Sequence, residues 1–144
     1  MISLHSGEFL EMNIRDYMIP SERVAHVQIK NSLEHALLVL TKSGYTAIPV
    51  LDPQYKLHGL ISTPIIMEAI LGLERIEFEK LEEKPVEEVM NKDIPRVTLD
   101  TGVKACLELL INHPFLCVES KEGYFEGILT RRTILEQLHK NFSL

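Results

Sequence analysis

Two adjacent arginines, Arg131 and Arg132, follow Thr130 at the predicted start of the last helix of the chain. The N-terminus of a helix favours anions, because its free N–H groups and the helix dipole carry partial positive charge, so two cations there are locally unfavourable. A bound phosphate would compensate for them, since the helix offers backbone donors, the threonine a hydroxyl and each guanidinium a bidentate fork. The residues leave one alternative open, in which both arginines pair with acids such as Glu126 or Glu136 or lie in solvent.

Other residue patterns give little support to catalysis or to a bound metal. The seven glycines form neither a dinucleotide-binding nor a phosphate-loop pattern, and no Gly-x-Ser-x-Gly sequence occurs. The six histidines and two cysteines lack the spacing of a metal site. We therefore expect a protein that is not an enzyme and that has no metal and no cofactor.

Composition and charge narrow the classes of partner. The chain has 144 residues, of which 45% are hydrophobic and 25% charged, which predicts one globular domain or two small halves that need each other. Its formal charge of −6 argues against nucleic acid as a partner. No stretch approaches the ~20 apolar residues of a membrane span, and the N-terminus lacks a cationic start followed by an apolar run. We therefore expect a cytoplasmic protein without membrane contact.

The elements that must position the arginines occur twice along the chain, and this repeat decides the fold class. Each half predicts a strand, a helix, two strands and a helix, so we expect an α/β (α+β) fold of two β-α-β-β-α repeats. Equivalent points lie 72 residues apart at Met18 and Met90 and 68 residues apart at Gly59 and Gly127. Small differences of this kind are those that loops accept. The pattern indicates a duplication.

Local signals predict where helices begin and how the copies are joined. In the first copy Asn31 is expected to cap the first helix, with Glu34 completing a capping box. In the second copy Asp100 or Thr101 is expected to take that position. Between the copies, residues 74–88 hold seven glutamates against three basic residues, which predicts a solvated connector with some helical character.

The strand pairs carry the resemblance to a known family. The segment Thr46–Asp52 followed by Gly59–Ser62 resembles the signature of a CBS domain, the repeat named after cystathionine β-synthase. The segment Phe115–Ser120 followed by Gly127–Thr130 is a more degenerate match. The resemblance sets the predicted domain limits, which are 12–72 for repeat 1, 73–88 for an acidic connector and 89–140 for repeat 2.

This family implies an architecture and a class of ligand. Its repeats are similar to modules that work as pairs, whose small sheets pack together and leave clefts for adenine nucleotides. Two pairs often associate, so the resemblance implies a CBS pair in a disc-like homodimer.

At the level of the whole sequence, the chain looks closest to the stand-alone paired-CBS proteins of Gram-positive bacteria that bind cyclic di-AMP. That resemblance implies a nucleotide-sensing regulatory protein that changes its interaction with target proteins. The implied targets are a guanosine tetra/pentaphosphate ((p)ppGpp) synthetase/hydrolase and pyruvate carboxylase. It is carried by four segments, which are 23–27, 44–50, 73–80 and 125–132.

The family match also implies the ligand-binding residues. An adenine can approach the backbone of an exposed strand where the side chain is small, as at Ala25 and Ala47, and Tyr45 can stack on a purine. The residues themselves leave open that Ala47, Val27 and Tyr45 are ordinary core or cleft lining. The complete predicted set is Arg23, Ala25, Val27, Tyr45, Thr46, Ala47, Thr130, Arg131 and Arg132.

Two positions bear on which adenine nucleotide is bound. Many nucleotide-binding copies carry an acidic or amide residue for the ribose hydroxyls three positions after the Ser or Thr of the Gly-x-x-Ser/Thr element. This chain has Ile65 after Ser62 and Thr133 after Thr130. A cyclic dinucleotide, whose 3′-hydroxyls are used in phosphodiester links, needs that contact less. The alternatives are an energy sensor for AMP, ADP or ATP and a dimeric interaction scaffold with vestigial clefts.

Overall fold

The structure is a computed structural model that describes residues 11–141. It confirms a mixed fold in which the order strand, helix, strand, strand, helix occurs twice. Among these residues no helix is long and apolar enough to cross a bilayer. In chain order the elements are β1 (Ile19–Pro20), β2 (Val27–Gln28), α1 (Leu33–Ser43), β3 (Ala47–Leu51), β4 (Leu57–Ser62), α2 (Thr63–Ile70), α3 (Lys80–Glu83), β5 (Arg96–Val97), α4 (Val103–Leu110), β6 (Phe115–Glu119), β7 (Phe125–Thr130) and α5 (Arg131–Asn141), with 3₁₀ turns at Ile14–Asp16, Ser21–Arg23 and Val86–Glu88.

The chain divides into two compact units that differ from the two sequence repeats. The first unit joins the segment up to Val24 to everything from Pro95 onwards, and the second unit runs from Ala25 to Ile94. Each unit therefore contains the hairpin and helices of one copy together with the leading segment of the other copy.

The first unit is built on a four-stranded sheet in the order β1-β7-β6-β5. Strands β6 and β7 form an antiparallel hairpin, β5 runs parallel to β6, and β1 runs antiparallel to β7. Apolar side chains from the sheet, from α4 and α5 and from the turn at Ile14–Asp16 pack into one core. Its buried members are Ile14, Val97, Val103, Cys106, Leu110, Leu116, Val118, Leu129 and Ile134.

The second unit repeats this plan with a three-stranded sheet in the order β2-β3-β4. Strand β2 lies at its edge, parallel to β3, and β3 forms an antiparallel hairpin with β4. The buried core residues are Val27, Leu33, Ala36, Leu40, Ile48, Val50, Ile61, Ile66 and Val86.

The equivalent glycines of the two hairpins allow a close approach of backbones. In the first unit β1 runs along β7, and a Cβ at Gly127 would lie 2.2 Å from the carbonyl oxygen of Ile19. In the second unit Leu60 pairs with Asn91, and a Cβ at Gly59 would lie 2.5 Å from the Asn91 carbonyl oxygen. Any side chain here would overlap the neighbouring backbone, so glycine is required for each copy to receive the leading segment of the other.

The predicted helix caps were wrong in both copies. The Ser32 hydroxyl caps α1 by accepting a backbone N–H bond of 3.1 Å, whereas the Asn31 carboxamide accepts a 2.8 Å bond from the backbone three residues earlier. In the second copy Gly102 is the cap residue, and the Thr101 hydroxyl accepts from the backbone three residues before it rather than from α4. The predictions of Asn31 and of Asp100 or Thr101 fail because short polar side chains bond turns as readily as helix ends.

The connector is largely solvated, but it is not solvated throughout. Residues 73–79 are mostly exposed, and Lys80–Glu83 forms the short helix α3. Beyond it, Pro85 pairs with Ser32 and Val86 is fully buried in the core of the second unit. The prediction of a solvated connector over 74–88 was therefore wrong at Val86, whose apolar side chain anchors the backbone in this core.

Candidate functional site

Four of the predicted residues of the second unit gather at one end of its sheet. Because β2 and β3 run parallel, Ala25, which precedes β2, lies at the same end as Ala47, which begins β3. Tyr45 and Thr46 lead into β3 at this end. The structure therefore brings the residues predicted to meet the adenine base into one place.

Side chains at this end are available to a ligand to different degrees. Ala25 and Ala47 are half-buried, whereas Thr46 is exposed and Tyr45 is 37% exposed. Gly44 ends α1 in the left-handed conformation (φ 79°), which turns the chain so that Tyr45 emerges at the surface. Such a ring can stack on a purine.

Val27 differs from the other predicted base-site residues. Its side chain is 2% exposed and belongs to the core of the second unit. A ligand beside β2 would therefore meet the backbone of this edge strand and not the valine side chain.

In the first unit, Thr130 ends β7 and caps α5. Its hydroxyl oxygen accepts a 3.1 Å bond from the backbone N–H of Thr133 and donates a 2.8 Å bond to the Thr133 hydroxyl. This arrangement explains why the helix begins at Arg131. The hydrogen of the Thr130 hydroxyl is thus used in a bond to Thr133.

The Arg131 guanidinium binds the end of another helix. Its Nε donates to the carbonyl oxygen of Leu110 at 2.9 Å, and a terminal nitrogen donates to the Ile111 carbonyl oxygen at 3.4 Å. These carbonyls belong to the C-terminus of α4, where a cation is favourable. The unfavourable position of Arg131 at the start of α5 is thus compensated within the protein, by partners that are distant in sequence.

Arg132 has an acidic neighbour one helical turn away. Its Nε lies 2.8 Å from Oε1 of Glu136, and the two side chains are 89% and 61% exposed. An exposed pair at this spacing contributes only about 0.3–0.5 kcal/mol. The structure therefore shows the Glu136 pairing that the sequence left open, and local charge alone does not require a phosphate. A phosphate could nevertheless displace Glu136 at little cost.

A surface groove of about 460 Å³ runs along this part of α5. It contains two residues that the sequence analysis did not single out, Leu135 and His139, beside the arginines and Glu136. Arg131, Leu135 and His139 follow one another at intervals of four residues in the sequence. This spacing could have identified them as neighbours, because such residues share a helix face.

Arg23 belongs to the first unit. It ends the helical turn Ser21–Arg23, which contacts β7 in the first unit. Its side chain is exposed and has no hydrogen-bond or ion-pair partner among residues 11–141. The guanidinium is therefore a cation available for an external anion.

The described residues contain no group of three or more His, Cys, Asp or Glu side chains that could hold a metal ion. Cys106 and Cys117 are both free and buried. Burial raises the pKa of the Cys117 thiol to about 12, so this thiol stays protonated and is a poor nucleophile.

We expect Arg131→Ala to lower the free energy of unfolding by about 1 kcal/mol, because the variant leaves two carbonyls at the end of α4 without their charged donor. Urea unfolding followed by circular dichroism measures this change. Arg132→Ala is the matched control and should change stability by less than about 0.5 kcal/mol. Equal stability of the two variants would contradict the capping role of Arg131.

Comparison with known proteins is consistent with the duplicated architecture. The CBS domain model matches residues 14–72 and 86–140. Cyclic di-AMP receptor B of Bacillus subtilis (strain 168) is 57% identical over 141 residues, which cover 98% of this chain and 96% of the relative.

Two of the similar solved structures cover most of this chain. A CBS domain-containing protein of Bacillus anthracis is 63% identical with a TM-score of 0.86, covering 93% of this chain and 97% of that one. The Listeria monocytogenes CbpB protein in complex with c-di-AMP is 54% identical with a TM-score of 0.84, covering 88% and 95%. Matches to both copies and to full-length relatives lead to one conclusion: this chain belongs to the CBS domain family.

Proposed function

We propose that the protein is a non-catalytic cytoplasmic receptor that binds cyclic di-AMP and thereby changes its interaction with target proteins. The observation that carries this proposal is the 57% identity, over nearly the full length of both chains, to a cyclic di-AMP receptor. The similarity to a CbpB structure that contains c-di-AMP supports it further.

The proposal divides the ligand between two sets of residues. The adenine is bound by Ala25, Ala47 and Tyr45, with Thr46 and the backbone of Val27 beside them. The phosphates are bound by cations, and the exposed Arg132 and Arg23 are the best placed because no buried partner holds their guanidinium groups. Arg131 and Thr130 contribute from the start of α5, where both also stabilise the fold.

Two side chains favour a cyclic dinucleotide over a mononucleotide. Ile65 offers no polar group to a ribose, and its backbone N–H donates to the Ser62 hydroxyl. The Thr133 hydroxyl already accepts from Thr130. Neither position supplies a free carboxylate for the 2′- and 3′-hydroxyls of AMP or ATP, whereas a cyclic dinucleotide has no free 3′-hydroxyls.

Titration calorimetry with cyclic di-AMP, AMP and ATP tests the proposal directly. We expect saturable binding of cyclic di-AMP and at least tenfold weaker binding of the mononucleotides. A preference for AMP or ATP would favour an energy sensor instead. Absence of binding by all three nucleotides would leave a scaffold and would overturn the receptor proposal.

Ala25→Leu is expected to weaken cyclic di-AMP binding roughly 5- to 150-fold. The added carbons occupy the space that the adenine needs beside the backbone, and overpacking of this kind costs about 1–3 kcal/mol. Calorimetry gives the affinity, and thermal unfolding checks that the fold is retained. Ala25→Gly is the control and should bind like the wild type. Wild-type affinity of Ala25→Leu would contradict the placement of the base.

We further propose that the receptor is a disc-like homodimer whose unliganded form engages a (p)ppGpp synthetase/hydrolase and pyruvate carboxylase. A ligand and a target that favour different states oppose each other reciprocally. Biolayer interferometry with the purified targets should therefore show weaker binding when cyclic di-AMP is added. An unchanged signal would contradict the coupling.

A further inference from the structure

The longest run of exposed apolar residues lies where α2 leads into the connector. Half of the large apolar side chains exposed in the described chain fall within twelve residues, and Leu73, Phe78 and Leu71 are the most exposed of these at 106%, 62% and 57%. Clustered exposed apolar residues mark interaction surfaces more often than scattered ones do. We name the set of five the apolar turn, and it consists of Met67, Leu71, Leu73, Ile76 and Phe78.

Backbone hydrogen bonds hold this turn in a defined shape. Leu71 and Ile76 form an antiparallel bridge, and the Gly72 N–H donates to the Arg75 carbonyl oxygen at 2.8 Å. The Glu77 N–H donates to the Ile70 carbonyl oxygen at 2.6 Å and closes the turn against α2. The turn is therefore a formed element of the second unit.

Its apolar side chains are presented together. Residues directly opposite in an antiparallel pair lie on the same side, which places the side chains of Leu71 and Ile76 next to each other. Met67 lies one helical turn before Leu71, whose N–H bonds to its carbonyl oxygen at 3.1 Å. Leu73 lies within the turn between the bridged residues. Binding of a partner costs little chain entropy in this turn, because the backbone of the turn is already ordered.

The charges around the turn are mostly negative. Arg75 binds Glu79 through both terminal nitrogens, and this contact holds the pKa of the Glu79 carboxyl at about 2. Lys80 is paired with Glu77. Arg75 in the turn and Lys80 at the start of α3 are thus both neutralised by acids. Three exposed glutamates have no ion-pair partner among residues 11–141, and these are Glu74, Glu82 and Glu83.

We propose that the apolar turn is a docking surface for a basic amphipathic segment of a partner protein, in which aliphatic side chains are flanked by Lys or Arg. Apolar anchors would cover Leu71, Leu73 and Phe78, and the flanking cations would face the unpaired glutamates. This inference rests on the proposed function, because a receptor requires a surface through which it contacts its targets.

Charge favours such a partner over a second copy of this chain. In a two-fold symmetric interface the same patch meets itself, so Glu74, Glu82 and Glu83 of one copy would approach those of the other. Like charges brought together in this way oppose association. A cationic partner gains from the same glutamates.

The test uses the ¹⁵N-labelled full-length chain and three synthetic 18-residue amphipathic peptides with the same leucine content. The polar positions are Lys in the first peptide, Gln in the second and Glu in the third. We expect the Leu/Lys peptide to bind saturably, with its largest backbone amide shifts at residues 71–79. Binding should weaken as salt is raised, and the Leu/Glu peptide should not bind.

Matched variants distinguish binding at this surface from nonspecific binding to exposed apolar residues. The double variant Leu73→Ser with Phe78→Ser should weaken the Leu/Lys peptide at least tenfold. Ile111→Ser changes another exposed apolar residue, in the first unit, and should leave the affinity unchanged. Glu74→Gln with Glu82→Gln and Glu83→Gln should reduce affinity and salt dependence together.

Several results would overturn the proposal. They are shifts centred elsewhere, no saturable binding of the Leu/Lys peptide, or full affinity in the Leu73/Phe78 variant. Light scattering that shows the same variant changing from dimer to monomer would assign the surface to self-association instead. Cyclic di-AMP affinity, measured on the same samples, should be unaffected by these variants. Absence of cyclic di-AMP binding by the wild-type chain would instead contradict the proposed function.

Discussion

Arg132→Met is expected to weaken cyclic di-AMP binding by about 1.5–3 kcal/mol, which corresponds to roughly 10- to 150-fold in affinity. The variant keeps the length and apolar stem of the side chain but removes the planar donors that match a phosphate. Stability should change little, because the exposed pair with Glu136 is the only side-chain hydrogen bond of this guanidinium within residues 11–141. Calorimetry and urea unfolding measure the two quantities separately.

Two control variants make the result specific. Arg15→Met removes another exposed arginine of the first unit and should leave affinity unchanged. Glu136→Gln releases Arg132 from its carboxylate partner and removes a negative charge near the ligand, so affinity should stay equal or rise. Wild-type affinity in Arg132→Met, or equal losses in Arg15→Met, would contradict the phosphate-binding role of Arg132.

Gly127→Ala is expected to destabilise the protein by about 3 kcal/mol, at the upper end of overpacking costs. The new Cβ would lie 2.2 Å from the carbonyl oxygen of Ile19, which is a backbone atom and cannot rotate away. Strand β1 would have to leave β7, so the leading segment would lose its place in the first unit. Thermal unfolding should show a midpoint lower by about 10 °C.

The equivalent glycine offers a second test of the same arrangement. Gly59→Ala should also destabilise, because its Cβ would lie 2.5 Å from the Asn91 carbonyl oxygen. Gly102→Ala is the control, since no atom lies within 4 Å of a Cβ there and only a weaker helix cap is expected. Wild-type stability of Gly127→Ala would contradict the close approach of β1 and β7.

Much of the fold could be predicted because it depends on neighbours in sequence. Strand β6 lies at Phe115–Glu119, where a short continuous apolar run between Pro114 and the turn at residues 121–123 predicts a strand. The 68-residue spacing of Gly59 and Gly127 is matched by the pairing, since Gly59 lies opposite Val50 and Gly127 opposite Val118. The caps could not be predicted, because Asn31 and Thr101 can bond either a turn or a helix and only the folded backbone decides between them.

The candidate site was predicted less completely than the fold. The proximity of Ala25 and Ala47 follows from parallel pairing of β2 and β3, which the strand-helix-strand order along the chain favours. The pairing of Arg132 with Glu136 could be predicted from the sequence, because the two residues are four positions apart in a helix. The partners of Arg131 were not visible, because the end of α4 is about twenty residues away and becomes a neighbour only when the hairpin folds back.

The sequence by itself determined the duplicated order of elements, the family and the hairpins with their glycines, and it supplied the candidate residues for an adenine or a phosphate. These depend on local periodicity, turn chemistry and residue type, which are written along the chain. The tertiary structure decided that the leading segment of each copy pairs with the hairpin of the other copy. It also decided that Arg131 caps α4 and that part of the acidic connector is the ordered apolar turn. Those features depend on contacts between segments far apart in the chain, and such contacts arise only when the strands pair and the cores close.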